Sequence, residues 1–425
     1  MNPFIEAPET KELVKELKEK KLDQKAYSDI VDDSGNQYVD LVQEGGGMLG
    51  IALAGYTFML EQAGIRFFSL AGTSAGAINT MMIAGMGKIG TPVSEKILDM
   101  LSSKKLFDLV DGPPRLKSLT ERILKKKPRV ILNGILNLCL IYKTAKNKLG
   151  MNPGKDFEDW IDEYMELEGI SQMADLVALR KDIPKLKDRL TSEELQREAG
   201  LKIITSDVTT KSKICFPEMA ELYWAEPDRA KPSAFVRASM SVPFFFEPME
   251  VKNIPNAGQT EDPNLPKEKT VWRKHTGYHG KIPASVHFVD GGMLSNFPIN
   301  AFHRSSGAPK KPTFGARLST WRDQYSNTGN LMGFCGAMIS TMRQLHDYDF
   351  LLRHPDYKQL ICSIDADAKK DEEGNPMFFW LDFNMPQEKQ IALFQLGAKK
   401  ALGFLESFSW EQYKETREKI AQQSL

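Results

Sequence analysis

The sequence predicts an α/β fold in which a central, mostly parallel β-sheet carries helices on both faces. An apolar strand over residues 38–42 is followed by a glycine-rich loop and by a helix over 51–62 with apolar residues at helical spacing. A second apolar strand over 65–70 turns directly into a helix of small residues over 77–85. A helix that connects two strands of one sheet crosses over in the right-handed sense, so we expect the two strands to be parallel.

The composition argues against several classes of partner. The 425 residues carry 56 Lys and Arg and 56 Asp and Glu, so the net charge is zero and no global field favours nucleic acid. The four cysteines are far apart, form no C-x-x-C pair and indicate reduced thiols: Cys139, Cys215, Cys335 and Cys362. The first residues lack the apolar core of a secretory signal, and no apolar run reaches about 18 residues. We therefore expect a cytoplasmic protein, at most peripheral to the inner face of a membrane.

The domain organisation predicted from the pattern is one large domain with insertions. Residues 1–36 are polar, and a weakly amphipathic helix over 9–22 predicts an N-terminal surface arm. Residues 37–425 form the domain, because no internal repeat or low-complexity linker divides them. A helical and partly basic insertion covers about 100–200, and residues 252–283 form a long loop rich in Pro, Gly, Asn and Lys.

The second half of the chain alternates again between apolar strands and helical segments. A strand over 285–289 ends at Asp290. Further strands are predicted over 313–318, 359–364 and 378–383, and helices over 330–351 and 387–408. This alternation supports the same α/β class as the first half.

A basic stretch, residues 115–148, stands apart within the helical insertion. Its lysines flank an apolar stretch over 130–142 that has helical character. Two interpretations remain open: a buried helix of a cap subdomain, or an interfacial helix that docks on anionic lipid. The second would make the protein a peripheral partner of membrane surfaces.

Ser74 stands at the turn between the second strand and its helix, with Gly72 and Gly76 two residues away on either side. A serine at such a turn is held in a strained conformation with its hydroxyl exposed, as in a nucleophile elbow. The glycines allow the strand and helix backbones to pass closely. The first amides of the helix then point at the group that Ser74 attacks.

The glycine-rich loop allows two interpretations. Gly45-x-Gly47-x-x-Gly50 after a strand matches a dinucleotide fingerprint, but that interpretation needs an acidic residue at the end of the second strand, which is absent. Consecutive glycines before a helix also leave amides unshielded, next to the strand that carries Ser74. Such amides can form an oxyanion hole for the charge that develops on a carbonyl oxygen, and we favour this interpretation.

Asp290 is the predicted partner of Ser74, because a serine nucleophile needs a base. It ends an apolar strand and precedes Gly291 and Gly292, at the kind of sheet edge where ligands bind. His287 lies on the same strand, but an offset of three residues points it to the opposite face. The other five histidines lie in helical segments or in the 252–283 loop, and we expect surface or structural roles for all six.

The three motifs in this order resemble the patatin-like phospholipase family: a glycine-rich loop, a G-x-S-x-G elbow and an aspartate in Asp-Gly-Gly. The sequence around these motifs also resembles that family, with Thr205-Ser206-Asp207 on a strand, Arg237-Ala238-Ser239 before Val242-Pro243, and Asn296 after Asp290. The resemblance covers about 38–300 clearly. It implies a three-layer fold of the patatin type.

The resemblance also implies an activity and a set of site residues. The family hydrolyses fatty-acyl esters of glycerolipids through a Ser–Asp dyad, so the expected partner is a phospholipid or another acyl-ester lipid, with no metal and no cofactor. Ser74 is the implied nucleophile and Asp290 its base. The implied oxyanion amides are those of Gly45, Gly46, Gly47 and Met48. The supporting glycines of the motifs are Gly50, Gly72, Gly76, Gly291 and Gly292.

Two departures from the family pattern stand out. Leu49 occupies a position where the family usually has Arg or Lys, which removes a positive charge near the oxyanion hole. The 252–283 loop is also long for the family. The alternatives to a lipid acyl hydrolase are an acyltransferase that excludes water, a catalytically silent scaffold and a nucleotide-binding protein.

Overall fold

The computed structural model describes residues 2–112, 149–195, 198–262, 264, 270–304, 307–320, 325, 328–329, 331–370 and 377–423. The basic stretch 115–148 lies outside the described residues, so both interpretations of it remain predictions. Residues 263 and 265–269 of the predicted long loop also lie outside them. The predicted assignment of residues 37–425 to one domain likewise stays a prediction.

The core of the fold is a mixed sheet whose central strands are parallel. In spatial order its main path is β12-β11-β2-β3-β6-β10-β9. The pairs from β12 to β6 are parallel, whereas β10 runs antiparallel to β6 and to β9. The strands of the described residues are β1 (Ile30–Asp32), β2 (Gln37–Gln43), β3 (Ile65–Thr73), β4 (Gly150–Asn152), β5 (Leu186–Asp188), β6 (Leu201–Asp207), β7 (Ser212–Phe216), β8 (Phe244–Phe246), β9 (Met249–Lys252), β10 (Ser285–Asp290), β11 (Thr313–Arg317) and β12 (Ile361–Ser363). Of these, β4 and β8 pair with each other in a separate two-stranded sheet. The predicted α/β class with a mostly parallel core is confirmed.

Helices surround the sheet. Those of the described residues are α1 (Pro3–Glu6), α2 (Pro8–Glu19), α3 (Ile51–Gln62), α4 (Ala75–Gly85), α5 (Ser94–Ser103), α6 (Lys155–Leu167), α7 (Met173–Lys181), α8 (Pro232–Ser239), α9 (Val271–Thr276), α10 (Leu331–Arg353), α11 (Gln387–Ser407) and α12 (Trp410–Gln423). Helices α3 and α11 cross closely: a Cβ on Gly397 would overlap the backbone of Ala52, and one on Gly55 would overlap that of Phe394. Because α3 is enclosed on nearly all sides, its residues are apolar around most of its circumference.

The N-terminal residues belong to the core, so the prediction of a surface arm over 1–36 is wrong. The predicted helix exists as α2, but Phe4, Leu13 and Leu17 are buried in the main apolar cluster. Strand β1 pairs with both β2 and β5. The polar composition misled because only one face of α2 is buried and the rest is solvated, as its leucine spacing requires.

Three later predictions also need correction. The strand predicted over 359–364 is present as the shorter β12, and the 3₁₀ turn Pro355–Leu360 precedes it. The segment 378–383 has turns instead of a strand. The long loop 252–283 contains α9, whose Trp272 is buried. Aromatic residues suggested the strand over 378–383, and turn residues suggested a structureless loop over 252–283, but tertiary packing decides the backbone of both segments.

Candidate active site

Ser74 lies at the predicted turn between β3 and α4. Its backbone has φ 53° and ψ −119°, a conformation that residues with a Cβ rarely adopt. Its amide donates to Ser239 Oγ at 2.9 Å. The flanking glycines are needed for close approach, because a Cβ on Gly72 would overlap the backbone of Gly76, and one on Gly76 would overlap that of Gln43. The strand-to-helix elbow predicted from the sequence is therefore present, and Ser74 is buried at its tip.

This strain leads to a prediction about stability that does not depend on function. We expect Ser74→Gly to be more stable than Ser74→Ala, with a free energy of unfolding about 1 kcal/mol larger, because glycine adopts positive φ without a Cβ penalty. Urea denaturation of the two variants measures the difference. At Ser102 in α5, an exposed helical position, the order should reverse by about 0.5–1 kcal/mol. Equal stability of the two Ser74 variants would show that the elbow is unstrained.

Asp290 reaches the elbow through the register of an antiparallel strand. Asp290 pairs with Thr205 of β6, and the neighbouring Ile204 pairs with Thr73 of β3. Asp290 does end its strand, as predicted, but that strand runs antiparallel to β6, and the role of Asp290 as a base stays a prediction. The turn after Asp290 packs closely on β6 and β3, since a Cβ on Gly291 would overlap the Ile204 carbonyl and lie 3.0 Å from Thr73 Cγ2. The base candidate and the nucleophile candidate are thus brought together across one intervening strand.

Burial raises the pKa of the Asp290 carboxyl above its usual value. The positive charge of Arg343, the adjacent Ser74 hydroxyl and the amide of Gly292 oppose this rise. Oδ1 accepts the Gly292 N–H at 2.7 Å, while Oδ2 has no partner in ordinary hydrogen-bond geometry among the described residues. A carboxylate with one unoccupied oxygen and a raised pKa is suited to accept a proton from the adjacent hydroxyl.

The glycine-rich loop lies directly against Ser74. A Cβ on Gly45 would be 3.0 Å from Ser74 Cβ, and one on Gly50 would be 2.7 Å from Ala75 Cβ. The amide of Gly45 donates to the Asn296 carbonyl at 3.0 Å, and that of Met48 to the Trp380 carbonyl at 2.8 Å. The amides of Gly45 and Met48 are therefore engaged within the protein, and the oxyanion role implied for this loop stays a prediction. Gly46 and Gly47 are the members whose amides have no acceptor within the described part of the chain.

Glu44 and Asn296 hold this loop in place, and sequence reasoning gave neither a role. The buried Glu44 carboxylate accepts the Leu318 and Ser319 amides at 2.6 and 2.9 Å. Asn296 Nδ2 donates to Glu44 Oε1 and to the Gly45 carbonyl, both at 3.1 Å. Burial raises the pKa of Glu44, and the Ser319 contacts oppose the rise. The sequence does contain a signal for Glu44, an acidic residue directly before three glycines. A carboxylate at such a position is buried only when hydrogen-bond donors satisfy its oxygens.

An apolar cavity of about 90 Å³ opens beside Ser74. It extends from the elbow between α3, α4, α5 and α6. Its apolar lining includes Ile51, Met82, Ile97, Met100, Leu106, Leu109, Phe157, Trp160, Val242 and Phe246. Such a lining can bury a hydrocarbon chain with the reacting group at Ser74.

The segment over 377–385 closes one side of this cavity. Trp380, Leu381 and Phe383 line it, and Phe383 stacks on Phe245 at a centroid distance of 5.4 Å. The Met48 amide donates a hydrogen bond to the Trp380 carbonyl, and a Cβ on Gly47 would overlap that same carbonyl. This is the segment predicted as a strand, and its contact with the site has no local sequence signal.

The described histidine side chains are held elsewhere. His303 Nδ1 lies 2.9 Å from the Tyr357 hydroxyl, and its ring lies 4.5 Å from that of His354. His275 lies 3.6 Å from a Glu221 oxygen. The side chain of His346 is outside the described residues. No described histidine bonds to Ser74 or Asp290, which leaves Asp290 as the base candidate of the described site.

The described residues contain neither a metal-binding cluster nor a membrane-spanning helix. No group of three or more His, Cys, Asp or Glu there is placed to hold a metal ion. None of the described helices has the length and apolarity that crossing a bilayer requires. Cys215 and Cys362 are buried free thiols, and burial raises the pKa of each to about 12.

Comparisons with known proteins identify a family model, a relative and two solved structures. The family model described as "Patatin-like phospholipase" matches residues 41–303. An uncharacterized protein of Bacillus subtilis (strain 168), YqhO, is 29% identical over 375 residues, which cover 88% of this chain and 100% of that protein.

The two solved structures are more distant. VipD from Legionella pneumophila has 14% identity and a TM-score of 0.40, over 90% of this chain and 71% of that chain. Full-length ExoU of Pseudomonas aeruginosa, solved with full-length SpcU, has 15% identity and a TM-score of 0.25, over 76% of this chain and 53% of that chain.

Proposed function

Because the chain belongs to the patatin-like phospholipase family, we propose that it is a lipid acyl hydrolase of phospholipase A type, a serine esterase that cleaves fatty-acyl ester bonds of phospholipids. One observation carries the proposal: Ser74, on a strained elbow, lies beside the buried Asp290 carboxylate at the opening of an apolar cavity. The cavity takes the acyl chain and presents its ester carbonyl to Ser74. We retain the expected cytoplasmic location and the peripheral contact with a lipid surface as parts of this proposal.

Acylation begins when Ser74 Oγ attacks the ester carbonyl carbon and its proton passes to Asp290. The carbonyl oxygen gains the negative charge, and the amides of Gly46 and Gly47 donate to it. Removal of one such donor typically costs about 3–4 kcal/mol of transition-state stabilisation. When the tetrahedral intermediate collapses, the C–O bond to the alcohol breaks, and the leaving oxygen takes the proton from Asp290.

Deacylation repeats these roles with water as the nucleophile. Asp290 accepts a proton from the water as its oxygen bonds to the acyl carbon. The bond to Ser74 Oγ then breaks, and the proton returns to Ser74, which releases a fatty acid and restores the free enzyme. A carboxylate is a weak base, so its raised pKa and the preorganised amides supply what a histidine would otherwise provide.

The test is product analysis on phosphatidylcholine vesicles combined with a fluorophosphonate probe. We expect free fatty acid and lysophospholipid as products and covalent labelling at Ser74. Labelling with acyl transfer to an added alcohol, and without fatty acid, would assign an acyltransferase. A folded protein that is neither labelled nor active would be a silent scaffold, and the proposal would be wrong.

A further inference from the structure

Arg343 brings a positive charge to the edge of the site. Its Nη2 donates to Asn296 Oδ1 at 2.7 Å. A Cβ on Gly292 would lie 3.2 Å from Arg343 Nε and 2.6 Å from Asp290 Oδ1, so the guanidinium and the carboxylate face the same point. We propose that Arg343 binds the phosphate group of the lipid substrate and makes phospholipids preferred over neutral acylglycerols. This inference rests on the function proposed above.

Helix α10 fixes Arg343 in this position. Asp347 lies one turn further along the same face and accepts the Ser295 hydroxyl at 2.6 Å and the Phe297 amide at 2.8 Å. These bonds dock α10 on the loop that follows Asp290. The guanidinium is therefore held next to the reacting groups by the packing of a helix rather than by a surface loop.

The partners of Arg343 distinguish it from Arg353 on the same helix and from Arg417 on α12. Arg417 pairs with Asp356, and Arg353 pairs with Asp349. In the described part of the chain no carboxylate forms an ion pair with Arg343, whose partner there is the neutral amide of Asn296. The residue is partly exposed. A guanidinium presents five N–H donors in a planar fork that matches phosphate, and the hydrogen bond to Asn296 engages one of its nitrogens.

Ester hydrolysis by Ser74 and Asp290 does not itself need this cation. A positive charge beside Asp290 opposes the rise of its pKa and so makes it a weaker base. A substrate anion on Arg343 would neutralise that charge and strengthen the base when the substrate is bound. The phosphate of a glycerophospholipid is only two or three carbon atoms from its acyl esters, so both groups can reach this site together. A neutral acylglycerol offers no such anion.

The decisive comparison uses phosphatidylcholine and diacylglycerol with identical acyl chains, presented in the same detergent micelles. For Arg343→Gln we expect kcat/KM on phosphatidylcholine to fall about 10–100-fold, the value of charge-assisted hydrogen bonds, with diacylglycerol hydrolysis retained. Arg343→Lys should restore part of the preference, since it keeps the charge but loses the fork. Arg353→Gln on the same helix removes an exposed, paired arginine and should change neither substrate.

A structural role would give a different result. If Arg343 only holds Asn296, Arg343→Gln lowers kcat/KM equally for both substrates, and the inference is wrong. It is also wrong if both substrates are unchanged. Fluorophosphonate labelling of Ser74 in both Arg343 variants verifies that the site is folded. Inorganic phosphate provides a further arm: if it inhibits diacylglycerol hydrolysis only in the wild type while Arg343→Gln keeps the phospholipid preference, the site serves free phosphate and not the substrate.

Binding of a dialkyl-ether phospholipid separates this inference from the proposed function. This probe carries the phosphate but no ester, so its affinity does not require hydrolysis. We expect Arg343→Gln to bind it about 10–100-fold more weakly than the wild type, and to bind a dialkyl-ether glycerol equally. Absence of any hydrolysis by the wild type would refute the function, whereas equal binding of the ether phospholipid by both proteins would refute the role of Arg343.

Discussion

Ser74→Ala is expected to lower the hydrolysis of phospholipid esters by at least about 10⁴-fold and to abolish labelling by a fluorophosphonate. The substitution removes the oxygen that forms the acyl-enzyme. It leaves the backbone contacts of the elbow, including the hydrogen bond that the residue-74 amide donates to Ser239 Oγ, so the fold should persist. Fatty-acid release from phosphatidylcholine vesicles measures the loss, and urea denaturation verifies the fold.

Ser239→Ala is the matched control for this variant. Ser239 is a buried serine whose hydroxyl accepts the Ser74 amide and donates to the Ile204 carbonyl at 2.6 Å. Its removal takes away the acceptor for the Ser74 amide but leaves the proposed nucleophile, so labelling should persist with a smaller loss of rate. Retention of activity in Ser74→Ala, or labelling at Ser239 in its place, would contradict the assignment of the nucleophile.

The elbow could be predicted because its determinants are local. Gly72 and Gly76 are required by contacts within the strand-turn-helix unit and with the adjacent β2, and all of these lie within about one supersecondary element. The helix at 51–62 and the helix predicted at 387–408 match α3 and α11 to within a residue because continuous apolar spacing specifies them. Asp290 could be recognised only from its Asp-Gly-Gly motif. Its approach to Ser74 could not be predicted in the same way, since it depends on strand register.

The rest of the site depends on contacts between residues far apart in the chain. Arg343 reaches Asn296 from a helix 47 residues later, and the Trp380 carbonyl caps the Met48 amide across more than three hundred residues. Neither has a periodicity or turn signal. The supply of oxyanion donors was overestimated for the same reason: a sequence shows which amides glycine leaves unshielded, but not which carbonyls fold back onto them. The sequence therefore could not show that the Gly45 and Met48 amides have acceptors within the protein.

Asp290→Asn should lower ester hydrolysis about 10²–10⁴-fold, the usual contribution of a general base. Asparagine can still accept the Gly292 amide through its Oδ1, so the turn after β10 is preserved, but it cannot take the Ser74 proton. Asp207→Asn is the control. Asp207 is a buried aspartate on the adjacent β6, and the Thr209 amide and the Tyr223 hydroxyl satisfy its oxygens at 2.8 and 3.1 Å. Folded Asp207→Asn should hydrolyse esters as the wild type does.

The pH dependence gives this prediction its sign. The base form of Asp290 is needed, so wild-type activity should fall as the pH decreases through a pKa that lies above the ordinary value of about 3.9. The residual activity of Asp290→Asn should lack this limb. Because the folded pKa is raised, the ionised carboxylate destabilises the fold, and this cost appears as the pH rises through the unfolded pKa.

Asp290→Asn should therefore be more stable than the wild type at pH 7, and the difference should vanish below about pH 4. Loss of activity together with a gain in stability identifies a residue kept for chemistry at the expense of the fold. If Asp290→Asn retained wild-type turnover and substitution of a histidine abolished it, the base would be a histidine. The two observables would then separate, since burial of Asp290 would still affect stability while having no part in the reaction.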